Sequence, residues 1–422
     1  MNMTRSDIEI MAPAGSYESL MAAIDAGANS VYFGVGRLNM RSASAANFTL
    51  DDLARIVAIA KEHGVKTYLT VNTILYDDEL DDMHAVMDRA LAEGIDAVIV
   101  SDQAAIVYAR SIGLEVHIST QLNVSNTETL RFYSQWADVV VLARELNLKQ
   151  IARIHDNIVS ENICGPSGKQ VKIEMFAHGA LCMAVAGKCY LSLHECGYSA
   201  NRGACRQICR RSYELRDRDT GETIAAEGRY LLSPKDLCTI PFIDRFIDAG
   251  VRVLKIEGRA RSAEYVKRVV ETYDEAVRSV ADGTFSAKKA ETWVARLSEV
   301  FNRGFWGGYY QGAPVVELSG AYGSSAIQRN VYVGKSTNVF KKIGVAEIQV
   351  EASPLERGAE YVVIGETTGA VEGIAEEVYV AERPAEIALQ GVFCSVKTSA
   401  PVRRGDKFYK VVPASGILHR QG

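Results

Sequence analysis

No run in this 422-residue chain reaches the roughly 18 uncharged apolar residues that a membrane-spanning helix needs. The N-terminus, MNMTRSDIEIMAPAG, lacks the continuous apolar core of an export signal and enters strand-like sequence almost at once. Both absences lead us to expect a cytoplasmic protein without a membrane partner. Basic charge is not in excess: the net charge is −5. That argues against a surface coated in nucleic acid, while a local basic patch would survive such an average. The Cys-x2-Cys pair of a zinc knuckle is also missing. Without an export signal, eight cysteines do not read as a disulfide framework. Six of them nevertheless fall within 57 residues, from Cys182 through Cys189, Cys196, Cys205 and Cys209 to Cys238. Such clustering asks for a metal.

What is present is a rhythm. Over the first 310 or so residues, short apolar runs alternate with amphipathic segments. IEIMAPAG, SVYFGV, VKTYLTVNTIL, DAVIVSD, EVHISTQLNV, ADVVVLA, VKIEMFAHG and VRVLKIEGR read as eight strands. They are near-continuous in apolar residues rather than alternating, as in a parallel sheet covered by helices. The first helix, SYESLMAAIDAG, has Ser16 as N-cap and Gly27 as its stop. Eight such units predict an α/β fold, a TIM-like (β/α) barrel over residues 1–315. Residues 179–238 break the rhythm with a cysteine-rich insertion, placed where such barrels carry their chemistry. A helical stretch at about 262–303 precedes the glycine- and aromatic-rich FNRGFWGGYYQG. From residue 331 to 422, short strands at regular spacing predict a small all-β, barrel-like domain.

The stretch EMFAHGALCMAVAGKCYLS, residues 174–192, admits two chemistries. A cysteine hydrolase needs a thiolate beside a histidine, and His178 lies four residues before Cys182. Glu174 is the nearest candidate for a third, orienting group. Alternatively Cys182 and Cys189 are half of a ligand set completed downstream. Cys205 and Cys209 would share one face of a helix, being four residues apart. Four thiolates from a loop and a helical turn suit an iron–sulfur cluster, which tolerates varied spacing, with zinc as the rival metal. If Glu174, Phe176 and His178 continue one strand, they point to the same side of it.

The segment Glu174-x-Phe176-x2-Gly179-Ala180-Leu181-Cys182-x4-Gly187-x-Cys189-x-Leu191-Ser192 resembles the signature of the collagenase-like peptidase U32 family. MAPAGSYESLMAAIDAGANSVYFG, HISTQLNVSN, NRGACRQICRRSYEL, YLLSPKDLC, VLKIEGRARSAEYV and FNRGFWGGYYQG are similar to further family blocks, in family order. The family name implies proteolysis. Its better-understood members imply oxygen-independent hydroxylation: of the tRNA wobble uridine with prephenate, of a ribosomal RNA cytidine, or of a quinone precursor. The resemblance implies a 4Fe–4S cluster on Cys182, Cys189, Cys205 and Cys209, with Cys238 as the alternative fourth ligand and Cys196 outside the set. It also implies prephenate as co-substrate and hydroxyl donor, tRNA or rRNA as partner, and pairing with a family paralogue in some members.

An RNA hydroxylase needs cations for phosphate and a pocket for one unstacked base. Six arginines between Arg202 and Arg218, Arg202 and Arg206 first among them, offer the cations. Arginine forks also match the carboxylates of prephenate, and Arg41 and Arg259 stand just after strands. Asn72, Gln121 and Asn123 fall at strand ends as substrate-binding candidates, and Glu174, His178 and Glu257 as catalytic ones.

Overall fold

The computed structural model describes residues 3–43, 48–224, 230–312, 315–320 and 323–414. Eight strands form its centre: β1 (Glu9–Pro13), β2 (Ser30–Phe33), β3 (Lys66–Val71), β4 (Ala97–Val100), β5 (Glu115–Ile118), β6 (Val139–Val141), β7 (Lys172–Gly179) and β8 (Val251–Ile256). They pair in parallel in that order, and β8 closes the circle by pairing with both β7 and β1. All eight match the apolar runs read from the sequence. This is a closed TIM-like barrel.

Helices α1 (Tyr17–Asp25), α2 (Leu53–Glu62), α3 (Leu80–Glu93), α4 (Gln103–Ser111), α5 (Thr127–Ser134) and α6 (Leu148–Ser160) follow the first six strands. Side-chain caps start several of them: Ser16, Asp102, Asn126 and Asn147 each accept a backbone N–H from the first turn. Gly27 and Gly250 turn the ends of α1 and of α8 (Ile243–Asp248) into β2 and β8, with φ of +89° and +94°. At Gly250 a Cβ would lie 2.1 Å from the His155 ring, so the left-handed turn is also tightly packed. No helix among the described residues is long and apolar enough to cross a membrane.

The helical stretch expected over 262–303 is two helices, α9 (Ala263–Ala281) and α10 (Ala287–Leu297), parted at Gly283 with φ +67°. A short strand, Asp236–Cys238, runs antiparallel against the end of β7 and carries Phe305–Trp306 on its other side.

The C-terminal region is an eight-stranded antiparallel sheet around its own core of Val333, Ile348, Val363 and Phe408. Its longest strand, Gln328–Phe340, pairs with Val345–Val350 and Lys407–Pro413. This strand and Gly369–Ile374 are absent from the sequence reading: glycines and the polar run KSTN mask their alternation. The sheet docks on the barrel's outer helices. Ala22 of α1 and Ala263 of α9 pack with Val362 and Ala370, and Arg268 of α9 bridges Glu299 and Glu372 at 2.8 and 2.9 Å.

Candidate active site

The inside of the barrel is apolar at one level, where Met11, Tyr32, Tyr68, Ile99 and Val253 meet. Towards the C-terminal ends of the strands it opens into a cavity of about 280 Å³. The cysteine-rich insertion folds over this opening and is fixed to the loops after β2 and β3. The Ala43 and Ile74 N–H groups donate to the carbonyls of Gly203 and Asn201. Gly203, at φ +80°, lies where a Cβ would stand 2.2 Å from the Asn39 carbonyl. Only glycine permits that approach. Arg202 completes the attachment: its fork meets Glu79 at 2.6 and 2.8 Å and its plane lies over the Tyr76 ring.

Cys182, Cys189, Cys205 and Cys209 all line this cavity. They are close enough to feel one another. Burial pushes the Cys209 thiol up, Arg210 opposes that, and Cys182, Cys205 and Cys189 add to it. Cys205 and Cys209 do not share a helical face: Gln207 takes φ +53° and only Ile208–Arg210 turns, as a short 3-10 segment. Cys238 does not join them. It is 2% exposed in the barrel wall, opposite His178 in register, and burial pushes its thiol up to about 12. Cys196, at the end of α7 (Leu191–Cys196), is not a lining residue either.

Among the described residues, no three His, Cys, Asp or Glu side chains stand close enough to ligate a single ion. That geometry disfavours one zinc ion, whose four ligands converge on a point. A 4Fe–4S cluster takes one thiolate at each iron, so its ligands stand around a body rather than a point. Four soft donors lining one cavity are the donor type and number that such a cluster takes.

The cavity is also strongly cationic. Arg41, Arg144, Arg210, Arg259, Arg261, Arg303 and Lys255 line the cavity, against a single lining carboxylate, Glu257. Arg41 holds Glu257 through Nε and Nη2 at 3.1 and 2.6 Å, and the Tyr32 hydroxyl donates to its other oxygen at 3.2 Å. Burial alone would raise this carboxyl, but Arg41 and Arg259 outweigh it and hold it at about 2. Glu257 is therefore a permanent anion at neutral pH, an anchor for Arg41 rather than a proton donor. Arg259 is buried and donates to Asn39 and Thr70 at 3.0 and 2.9 Å, while its Nε has no hydrogen-bond partner. Arg144, which follows β6, lies 4.2 Å from the Phe176 ring centre, and its buried Nε is likewise unpartnered. Both guanidinium-bearing residues line the cavity, and each keeps its unpartnered Nε buried behind that surface. Asn72 and Gln121 line it as the sequence reading expected, with Asn72 donating to the Ser119 hydroxyl at 3.4 Å. Asn123 does not: it is a left-handed cap, φ +52°, whose amide returns to the Gln121 carbonyl.

Beneath the cavity lies a buried polar pair, of which the sequence reading named Glu174 and not Lys255. Glu174 is fully buried below the lining and accepts from Lys255 Nζ at 2.6 Å. Lys255, 5% exposed, sits over the Tyr32 and Phe176 rings and reaches the cavity floor. Its position carried a signal: a lysine inside the apolar run VRVLKIE of a strand buried on both faces must point at an acid or a substrate. His117 Nδ1 approaches the second oxygen of Glu174 at 4.0 Å, and both atoms lack hydrogen-bond partners.

His178 is the other correction. Glu174 and Phe176 face inward, but the β7–β8 register slips, with Lys255 opposite Phe176 and Ile256 opposite His178. The extra residue breaks the alternation. His178 is turned into an aromatic nest of Tyr265, Tyr273 and Phe305 and is absent from the cavity lining. Burial lowers it to about 3, so it is neutral in the folded protein and charges on unfolding below about pH 6.5. Since the unfolded chain binds the extra proton, stability falls as pH drops through the window from about 6.5 to about 3. We expect His178→Phe to flatten the loss of stability between pH 6.5 and 5 by up to about 1.4 kcal/mol per pH unit. Urea titrations at several pH values measure it; parallel curves for both proteins would refute the burial argument.

Of the remaining predicted cations, Arg206 is exposed and stacks on Tyr198 at 4.2 Å, outside the cavity. Arg202 is committed to Glu79, and Arg211 pairs with Glu195. The arginine run of the insertion is thus a fastening as much as a basic surface.

Comparison with known proteins follows the same residues. The model for peptidase family U32 matches residues 15–319. A collagenase of Porphyromonas gingivalis strain W83 is 54% identical, over 97% of this chain and 99% of that protein. The tRNA hydroxylation protein P1 of Bacillus subtilis is 33% identical over 73% of this chain and 72% of its own length. A 23S rRNA 5-hydroxycytidine synthase of Escherichia coli is 36% identical over 72% of this chain and 45% of its own length. The match runs from the first barrel helix through the thiol cavity to the linker before the β-domain, and on it the chain belongs to peptidase family U32.

Proposed function

We propose that this protein is an RNA hydroxylase that works without dioxygen, replacing the C5–H of the tRNA wobble uridine by C5–OH. The observation that carries the reading is the convergence of four cysteines and a set of arginines, Arg41, Arg144 and Arg259 among them, on one cavity. The tRNA and rRNA hydroxylation relatives support it. Hydroxylation at carbon is a two-electron oxidation of the base, matched by a donor R–OH leaving as R–H. Prephenate is the proposed donor: its two carboxylates suit the forks of Arg144 and Arg259. Cys182, Cys189, Cys205 and Cys209 would hold a 4Fe–4S cluster, which would supply electron-transfer chemistry. The protein's own groups do the rest. Arg41 is oriented by Glu257, Lys255 holds a positive charge at the floor, and Phe176 offers a ring against which a planar group can lie.

The collagenase name of the Porphyromonas relative gives the second reading. It requires an activated nucleophile, and Cys182 is exposed at the cavity. Yet no histidine is among the described lining residues, and His178 faces the other way. A thiol without a base is a poor hydrolytic centre.

Mass spectrometry of nucleosides from a strain lacking the gene tests the proposal. We expect 5-hydroxyuridine derivatives to disappear from tRNA and to return on complementation. Unchanged tRNA with loss of 5-hydroxycytidine from 23S rRNA would move the activity to the ribosome. A quinone deficiency with both RNAs intact would move it to a quinone precursor.

A further inference from the structure

One cluster of cations lies outside the cavity, at one end of the C-terminal sheet. Phe340 pairs with Val345 across the turn bearing Lys341 and Lys342, and Val345 lies opposite Lys397. On the other side, Lys335 lies opposite Lys407, whose strand is entered through Arg403 and Arg404. The register thus gathers Lys341, Lys342, Lys397, Arg403, Arg404 and Lys407 at one sheet end, all exposed. Every salt bridge of this sheet's described cations involves Lys335, Arg357 or Lys410, so among the described residues these six have no carboxylate partner. The nearby acids are occupied: Asp406 is buried, accepting from Thr368 and the Arg403 N–H, Glu347 accepts from Thr337, and Glu366 pairs with Arg55. Lys407 faces Lys335 across the strands, a like-charge pair that costs stability, and an anionic partner at this sheet end would offset it.

The sheet end is also positioned. Asp406 ties the 403–407 loop to the turn at 365–369, where a Cβ on Gly365 would meet the Asp406 carboxylate. That turn touches the barrel through Glu366–Arg55, in the first turn of α2, and through Gly369 against Met21 and Ala22 of α1. Helix α2 begins on the side where β2 ends, the side on which the cavity opens. We infer that this sheet end is a docking surface for the RNA phosphate backbone, holding the strand while a flipped base enters the cavity. Phe340, 44% exposed beside Lys341, offers a ring for stacking. The inference rests on the RNA reading of the cavity, but it concerns a different surface and fails separately.

The test compares the full-length protein with Lys341→Glu/Lys342→Glu, Arg403→Glu/Arg404→Glu and a control of equal charge, Lys61→Glu/Lys172→Glu, at the far ends of α2 and β7. Binding of fluorescent unmodified tRNA is measured by anisotropy from about 50 to 200 mM salt. Each variant's thermal midpoint is compared with wild type first, and alanine versions of the pairs repeat the measurement. We expect each sheet-end pair to weaken binding about tenfold or more and to reduce the slope of log K against log salt by about 1.5. The control should match wild type. Unchanged affinity in both sheet-end variants, or equal weakening in the control, would overturn the inference while leaving the RNA reading intact. Wild-type protein that binds no tRNA even at low salt would bring down both. Binding of an acidic protein at this surface, with tRNA affinity unaffected by the substitutions, would also overturn it.

Discussion

Cys205→Ala, purified without air, is expected to contain little iron and to lack the broad absorbance near roughly 400 nm of a cysteinyl cluster. The same result is expected for Cys182→Ala, Cys189→Ala and Cys209→Ala, because the four line one cavity and the other three all act on the Cys209 thiol. Loss of an outer partner of a metal site already costs roughly 10–100-fold, so loss of a ligand should reduce hydroxylation by more than about a hundredfold. Cys238→Ala discriminates. Its thiol is buried in the barrel wall and away from the cavity lining, so that variant should keep its iron. Full iron in Cys205→Ala, or iron lost from Cys238→Ala but kept in Cys209→Ala, would assign the ligands differently.

The largest effect on stability is expected at Lys255. Removing its ammonium in Lys255→Met leaves Glu174, fully buried, without its 2.6 Å partner. Breaking one side of a buried ion pair costs roughly 3–5 kcal/mol, because the remaining charge is desolvated and unpaired. Adding Glu174→Gln should recover most of that loss, since a neutral amide carries a far smaller desolvation penalty. Urea unfolding of wild type, single and double variants measures it as shifts in midpoint at constant slope. The double variant then isolates chemistry from folding. If Lys255 supplies charge at the cavity floor, the refolded double variant should remain inactive. A double variant both stable and active would make the pair purely structural.

The barrel was legible because parallel strands buried on both faces leave continuous apolar runs, and left-handed glycines such as Gly27 and Gly250 punctuate them. The gathering of cysteines was visible as six within 57 residues; the resemblance, not the spacing, singled out the four that the fold brings to one cavity. What the sequence concealed was non-local. Nothing near Arg202 announces that Glu79, 123 residues earlier, takes its fork. Nothing in FAHG shows that β7 carries one residue too many opposite β8, and that single slip turned His178 from a candidate catalytic group into an aromatic packing element. Arg144 went unnoticed although it follows β6 as Arg259 follows β8; its unpartnered Nε becomes visible only when the cavity is assembled. Lys255 was present in plain sight, a charge in an apolar strand, and its meaning needed Glu174 across the barrel.

The most direct test is complementation of a strain lacking the gene, read by mass spectrometry of its tRNA nucleosides, with wild type, Cys205→Ala and Cys238→Ala side by side. The cavity chemistry predicts that wild type and Cys238→Ala restore the added oxygen on the wobble uridine and that Cys205→Ala does not. Restoration by Cys205→Ala to the wild-type level would contradict it.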